Sequence, residues 1–317
     1  MNEFSLINQL VKSIPIKRAD VLLGIGDDAA CLHIPEGMNL LVSTDTLVAG
    51  VHFLPEWDAY DIACRAVMVN VSDLAAMAAQ PCWITLALTL PEPDPQWLNA
   101  FARGLKDSLT PFNMDLVGGD TTRGPLSITL TVMGFAPPGQ STKRSGAKPG
   151  DVILVSGPLG AAALAIKLLD RQDVSAPDKA VLMQHLLHPK PRVDLMQLLR
   201  LYASAAIDIS DGLSADLNHI CIASGVGACL TKDALPVHPL LIKYLGNQAV
   251  DLALRGGDDY ELCFTVSAQH LDSLMAELKK AGLVCYPIGL IEELSGLRIR
   301  VSDTLCEALM PSGYSHF

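Results

Sequence analysis

Asp115-Leu116-Val117-Gly118-Gly119-Asp120-Thr121-Thr122 is the stretch around which the chain is organised. A hydrophobic run over 115–117 reads as a short strand that delivers two glycines, an aspartate and two threonines to its end. Glycines without Cβ atoms let backbone N–H groups approach a phosphate closely. The aspartate offers a hard oxygen to a divalent cation, and the threonines offer hydroxyls. Gly-Gly-Asp is also an ordinary turn. Repetition sets the stretch apart from one: Gly-Ile-Gly-Asp-Asp stands at 24–28, Ser-Thr-Asp at 43–45 and Ser-Asp at 72–73. Asp-Ile-Ser-Asp-Gly follows at 208–212 and Gly-Gly-Asp-Asp at 256–259. Small residues paired with aspartates in so many separate loops point to one acidic site assembled from distant segments.

Outward from that stretch, the first half reads as a helix over 3–14, short strands at 31–34 and 40–43, and a helix over 58–79. Asp58 is the expected N-cap of that helix and Pro81 its stop. Asn70 and Asp73, at i and i+3 spacing, face one side of it. A strand over 83–90, a helix over 97–109 and strands at 115–117 and 126–135 complete this half. The Pro/Gly-rich basic stretch over 138–150 is read as a linker, which sets domains at 1–137 and 151–317. The second half mixes strands at 152–155, 205–209, 228–231, 261–266, 284–290 and 297–301 with helices between them. The absence of a strict βαβ rhythm predicts an α+β fold of two layered domains. No repeat of 20–50 residues is present.

The chain has 317 residues, half of them hydrophobic and 18% charged, enough for two compact domains. A formal net charge of −11, with no basic run interleaved with aromatics, excludes a nucleic-acid partner. No apolar stretch approaches the ~20 residues of a membrane span. The N-terminus also lacks a positive flank followed by an apolar core, so a cytoplasmic location is expected. Eight cysteines without a Cys-x-x-Cys pair read as small buried hydrophobes.

If Asp28, Asp45, Asp73, Asp120 and Asp211 converge, they repel one another. Two carboxylates ~4 Å apart cost about 4 kcal/mol at an effective dielectric of 20. Cations must neutralise them, and all-oxygen donors select Mg²⁺ or Mn²⁺ over zinc. Several Mg²⁺ ions beside glycine turns point to phosphoryl transfer, in which positioning and charge neutralisation supply most of the catalysis. Neither a G-x-x-x-x-G-K-[ST] loop nor a protein-kinase catalytic loop is present.

Taken together, LGIGDDAA, VSTDTLVAGVHF, VNVSDLAAM, VGGDTTRGP, RSGAKPGD, DISDGL, GGDDYEL and GYSHF resemble the thiamine-monophosphate kinase family. That family lies in the superfamily of aminoimidazole ribonucleotide synthetase and selenophosphate synthetase. The likeness runs in unbroken order from about residue 4 to the last. It implies ATP-dependent phosphorylation of thiamine monophosphate to thiamine diphosphate, an N-terminal domain that forms a homodimer, and a site between the two domains. It also implies magnesium ions bound by Asp28, Ser43, Thr44, Asp45, Asp73 and Asp208, with Asp120 and Asp211 near the nucleotide. Gly119, Asp120, Arg144 and Ser210 would contact ATP, and His52, Asp258 and Tyr314 the thiamine phosphate. Asp28, Asp45, Asp73 and Asp120 are the expected catalytic groups. The family carries Glu where this chain has Asp258. Asp27, Asp216 and Asp259 are read as supporting residues. Selenophosphate synthetase would need a reactive cysteine near the N-terminus, and the hydrogenase-maturation relative would end in cysteine. A metal-dependent pyrophosphatase is the competing reading of another class.

Overall fold

The computed structural model describes residues 14–316, so the helix expected over 3–14 lies outside the described residues but for Ile14. The chain divides into two compact units. The first runs through Leu74 and resumes over Ala79–Gln140; the second takes Ala75–Ala78 and everything from Ser141.

The first unit is built on a four-stranded sheet in the order β3-β6-β4-β5. Its members are β3 (Asn39–Val48), β4 (Gln80–Leu90), β5 (Asp115–Arg123) and β6 (Ser127–Ala136). Only β4 and β5 run parallel. Side chains opposite one another in register share a face, because strand side chains alternate. Ser43, Asp45 and Leu47 thus lie with Val132, Leu130 and Ile128, and these with Ile84, Leu86 and Leu88. The six aliphatic residues on β6 and β4 are buried. Helix α1 (Ala59–Ala76) serves this face: Asp73 accepts the Ser43 hydroxyl at 2.5 Å, and Asn70 Oδ1 accepts the Asp45 N–H at 3.2 Å. Asp58 caps α1 as expected, accepting the Tyr60 N–H at 2.8 Å. Helix α2 (Pro95–Leu109), capped by Asp94, packs so closely that a Cβ on Gly104 would lie 2.3 Å from the Tyr60 carbonyl.

The opposite face presents Val42, Thr44 and Thr46 beside Met133, Thr131 and Thr129. Its hydroxyls pair across strands, Thr44 to Thr131 at 2.9 Å and Thr46 to Thr129 at 2.8 Å. A small hairpin, β1 (Val21–Leu23) with β2 (Cys31–Leu32), packs near one end of the sheet. There Trp83 is fully buried, stands edge-on to Phe135 at 5.0 Å and donates to Asp20 at 3.0 Å. Asp115 holds the preceding loop by accepting the N–H groups of Lys17 and Arg18 at 2.8 and 2.7 Å.

Three expectations need correction here. β5 does not end at Val117: parallel pairing with β4 carries it through Gly118-Gly119-Asp120-Thr121-Thr122 to Arg123. α1 stops at Ala76, well short of the position read from Pro81, because Ala78 adopts a left-handed conformation (φ 52°). The strand read over 40–43 runs on to Val48, so Asp45 stands inside it.

The second unit holds a seven-stranded sheet. Its members are β7 (Val152–Val155), β8 (Ala203–Asp208), β9 (Gly227–Thr231), β10 (Leu262–Val266), β11 (Tyr286–Glu292), β12 (Gly296–Arg300) and β13 (Cys306–Leu309). Their order is β13-β12-β9-β11-β7-β10-β8. Between them lie helices α3 (Ala161–Lys167), α4 (Ala176–Leu187), α5 (Met196–Tyr202), α6 (Leu213–Ser224), α7 (Pro239–Leu245), α8 (Ala249–Arg255) and α9 (Leu271–Ala281). One core joins Leu195 and Leu199 near and in α5, Leu274 and Leu278 of α9, and Leu154, Ala206 and Phe264 of the central strands. The chain is α+β, as its pattern predicts. Strands β1 and β13 are the elements the sequence did not announce. Six cysteines are buried as expected, but Cys31 and Cys306 are exposed.

Candidate active site

In the first unit the acidic centre is Asp45 and Asp73, with Ser43 between strand and helix. The Ser43 hydroxyl donates to Asp73 Oδ2 at 2.5 Å. Burial and the charge of Asp73 push the Asp45 carboxyl up to about 6, although the residue as a whole remains open to solvent. Two carboxylates that disfavour each other's ionisation form a site that a cation relieves. The donors are hard oxygens, which suits Mg²⁺. Among the described residues no three His, Cys, Asp or Glu side chains gather into a ready metal cage. An ion here therefore depends on further ligands, and Mg²⁺ commonly takes them from water and substrate phosphates.

Other expected members of this half do not join that pair. Period-two alternation turns Thr44 to the opposite face, where its hydroxyl meets Thr131. Asp120, on β5, pairs with Ala87 of β4, and the sheet order puts β3 and β5 at opposite edges. Asp28 is exposed in the β1–β2 loop, where its N–H is held by Asp27 Oδ1 at 2.9 Å, so Asp27 shapes the turn. Gly119 has a steric reason to be glycine: a Cβ would lie 1.9 Å from the Leu86 carbonyl. His52 follows β3, its Nδ1 accepting the Val48 N–H at 3.0 Å, which places the ring proton on Nε2.

The second unit brings its expected residues together by backbone pairing. Asp208 ends β8 opposite Leu262 and is buried. The chain then runs through Ile209, Ser210 and Asp211 to Gly212, and the Gly256–Glu261 loop lies along it. Ile209 N–H donates to the Glu261 carbonyl at 2.8 Å, Tyr260 N–H to Ile209 at 2.9 Å and Asp258 N–H to Ser210 at 2.8 Å. Gly257 sits where the segments touch, since its Cβ would lie 2.4 Å from the Ser210 carbonyl. A third segment closes on them: Tyr314 N–H donates to the Asp211 carbonyl at 3.0 Å, and Ser214 Oγ to the Ser312 carbonyl at 2.8 Å. Asp208, Ser210, Asp211, Asp258 and Tyr314 thus share one end of the sheet.

Asp216, on the first turn of α6, is 2% exposed and its Oδ2 accepts the N–H groups of Asp211 and Gly212, both at 3.0 Å. Burial pushes its carboxyl up to about 6, against those two bonds and the nearby positive charge of Arg144. Arg144 itself is exposed on a segment tied down by Ser224, whose Oγ donates to the Arg144 carbonyl and accepts from Gly146 N–H. Its guanidinium charge therefore stands beside the acidic loops. Sequence reading missed Tyr260, whose hydroxyl donates to Asp258 Oδ1 at 3.1 Å, and Ser312, which fastens the C-terminal segment. Adjacency to Asp258 was a signal for Tyr260; nothing local marks Ser312. A depression of ≈ 310 Å³ opens at the same end of the sheet beside Ser156, Arg192, Glu261 and Tyr286. Its Arg192 is already bonded to Glu261 at 2.9 Å and to Asp194 at 3.1 Å.

Residues 26–136 match the N-terminal domain of AIR synthase related proteins, and residues 148–302 match the C-terminal domain. Thiamine-monophosphate kinase of Salmonella typhimurium is 49% identical over 99% of this chain and 98% of its own length. The crystal structure of thiamine-monophosphate kinase from Stenotrophomonas maltophilia has a TM-score of 0.87 at 45% identity, covering 94% of this chain and 96% of that one. AaThiL complexed with AMPPCP and TMP has a TM-score of 0.80 at 31% identity, covering 99% and 97%. With both domains matched and identity sustained from end to end, this chain belongs to the AIR synthase related family and, within it, to the thiamine-monophosphate kinases.

Proposed function

We propose that this kinase transfers the γ-phosphoryl group of ATP to the phosphate of thiamine monophosphate, giving ADP and thiamine diphosphate. The observation that carries the reading is the Asp45–Asp73 pair, a charge-poised oxygen site of the kind phosphoryl transfer uses. The likeness to AaThiL, solved with AMPPCP and TMP, supports the choice of substrates. A phosphate oxygen of the acceptor attacks the γ-phosphorus in line, and the β–γ bridging oxygen leaves with ADP. No serine or histidine nucleophile is needed, since the attacking oxygen is already anionic. Asp28, Ser43, Thr44, Asp45 and Asp73 of the first unit and Asp208 and Asp211 of the second would hold magnesium, which neutralises phosphate charge when bound. Arg144 and Ser210, with Gly119 and Asp120, would receive ATP. His52, Asp258 and Tyr314 would receive thiamine monophosphate.

The open Thr-lined face of the first unit supports a homodimer. It bears Leu40 and Val42, 37% and 57% exposed, on an edge strand. A second copy docked there would cover these residues. It would also explain why the expected ligands Thr44 and Asp120 sit on that face at opposite edges of one sheet: they would be completed by neighbouring protomers. No described helix is long and apolar enough to cross a membrane, and we infer a cytoplasmic enzyme. ADP release measured with a panel of monophosphates tests the reading. Turnover restricted to thiamine monophosphate is expected; equal turnover with unrelated monophosphates, or phosphate release from pyrophosphate, would contradict it.

A further inference from the structure

Asp259 takes no part in the chemistry proposed above, yet it stands between two residues whose backbones need explaining. Asp258 and Tyr260 both adopt left-handed conformations, at φ 68° and 49°. Only Ala78 and Asn113 do the same among other described non-glycine residues, so the feature is concentrated in this loop. Side chains disfavour that region, and a bulky tyrosine does so strongly, so the surroundings must hold the loop there. The flanking N–H groups bond to Ser210 and Ile209, which fixes one side of the loop. Asp259 fixes the other. Its Oδ1 and Oδ2 both accept the Gly160 N–H, at 2.8 and 3.0 Å. Gly160 is itself left-handed, at φ 90°, and a Cβ there would lie 2.5 Å from Leu241 Cδ2 and 3.3 Å from Ala253 Cα. Although the residue as a whole is half-buried, the enclosure of its carboxyl pushes Asp259 well above the usual carboxylate range.

We propose that Asp259 is a positioning residue: clamped on the Gly160 N–H, it holds Asp258 in its left-handed conformation and aims that carboxylate at the bound thiamine moiety. The inference rests on the thiamine-phosphate reading of Asp258 and adds a specificity determinant that touches no ligand. Period-two logic would send neighbouring side chains to opposite sides of a strand. Here two left-handed residues around one anchored residue do the same in a loop, with Asp259 inward and Tyr260 returning its hydroxyl to Asp258 at 3.1 Å.

Steady-state kinetics of the full chain carrying Asp259→Ala, Asp259→Asn or Asp259→Glu tests the proposal. Asp259→Ala should raise KM for thiamine monophosphate at least about tenfold while kcat and KM for ATP stay within about twofold, the pattern of lost substrate placement. Asp259→Asn keeps an oxygen for the Gly160 N–H and should return KM to within about threefold of the parent. Asp259→Glu retains the acid but displaces it by a methylene, and should behave like the Ala variant; it replaces that variant if Ala fails to fold. Unchanged KM in both Ala and Glu variants, or an Asn variant as impaired as Ala, would overturn the proposal. So would parallel losses for both substrates, which mark a merely structural role. A crystal structure of the Ala or Glu variant supplies a readout independent of substrate. Asp258 leaving the left-handed region supports the proposal, and an unchanged loop refutes it. Should the parent protein not use thiamine monophosphate at all, the substrate reading fails, and that structure alone decides the loop.

Discussion

Replacing Gly257 with alanine probes the contact that joins the two acidic loops of the second unit. The added Cβ would lie 2.4 Å from the Ser210 carbonyl oxygen and 3.3 Å from Asp211 Cα and carbonyl carbon. All three are backbone atoms, so no side chain can rotate away. Ordinary contact begins near 3.4 Å, which leaves 3.4 − 2.4 = 1.0 Å of displacement to be absorbed between the segments carrying Ser210 and Asp258. A misplacement of about 1 Å in a site that works by positioning costs roughly 10²-fold in rate, about 2.7 kcal/mol in transition-state stabilisation. The strain on folding is of similar size, about 1–3 kcal/mol, and the loop lies at the end of the sheet rather than within it. Gly257→Ala should therefore remain folded by circular dichroism and lose about 10²-fold in kcat/KM in a coupled ADP-release assay. A folded variant with kcat/KM within threefold of the parent would refute the reasoning, for it would show that the contact between these loops does not set the site.

Asp45→Asn should keep its fold and lose at least about 10²-fold in kcat, with no recovery at saturating Mg²⁺, since a charge that receives the metal is gone; magnesium-titrated initial rates check this. Asp258→Ala should raise KM for thiamine monophosphate while KM for ATP barely moves, and Asp258→Glu, which restores the family's usual length, should be tolerated. A pure kcat loss in the Ala variant would move Asp258 from substrate recognition to the metal site. Trp83→Ala removes a fully buried ring and the bond to Asp20, and should cost about 3–5 kcal/mol in denaturant unfolding of the first unit. Light scattering at micromolar concentration should give twice the chain mass; a monomer would leave Leu40 and Val42 uncovered and count against the dimer.

How far the sequence could be read depended on how local the deciding interaction was. The i, i+3 spacing of Asn70 and Asp73 is a property of one helix, and both do face β3, through Asp45 N–H and Ser43 Oγ. The Asp58 cap was equally legible. The end of β5 was not, because Gly118 and Gly119 look like a turn until parallel pairing with β4, a distant segment, draws them into the sheet. The same holds for Thr44. Its neighbours Ser43 and Asp45 suggested a contiguous ligand run, and only the full length of β3 shows that alternation separates its hydroxyl from theirs. Ala78 ended α1 early through a left-handed conformation that no alanine advertises. In the second unit the DISDG and GGDD motifs were visible at once. Their mutual hydrogen bonds, and the docking of Ser312 and Tyr314 upon them, depend on contacts between residues far apart in the chain.

The most direct test of the central claim is phosphorus NMR of the intact enzyme with ATP, thiamine monophosphate and Mg²⁺. The account predicts one thiamine diphosphate formed for each ADP, no free phosphate, and no reaction once the metal is chelated. ATP cleavage to ADP and free phosphate with thiamine monophosphate left unchanged would contradict it.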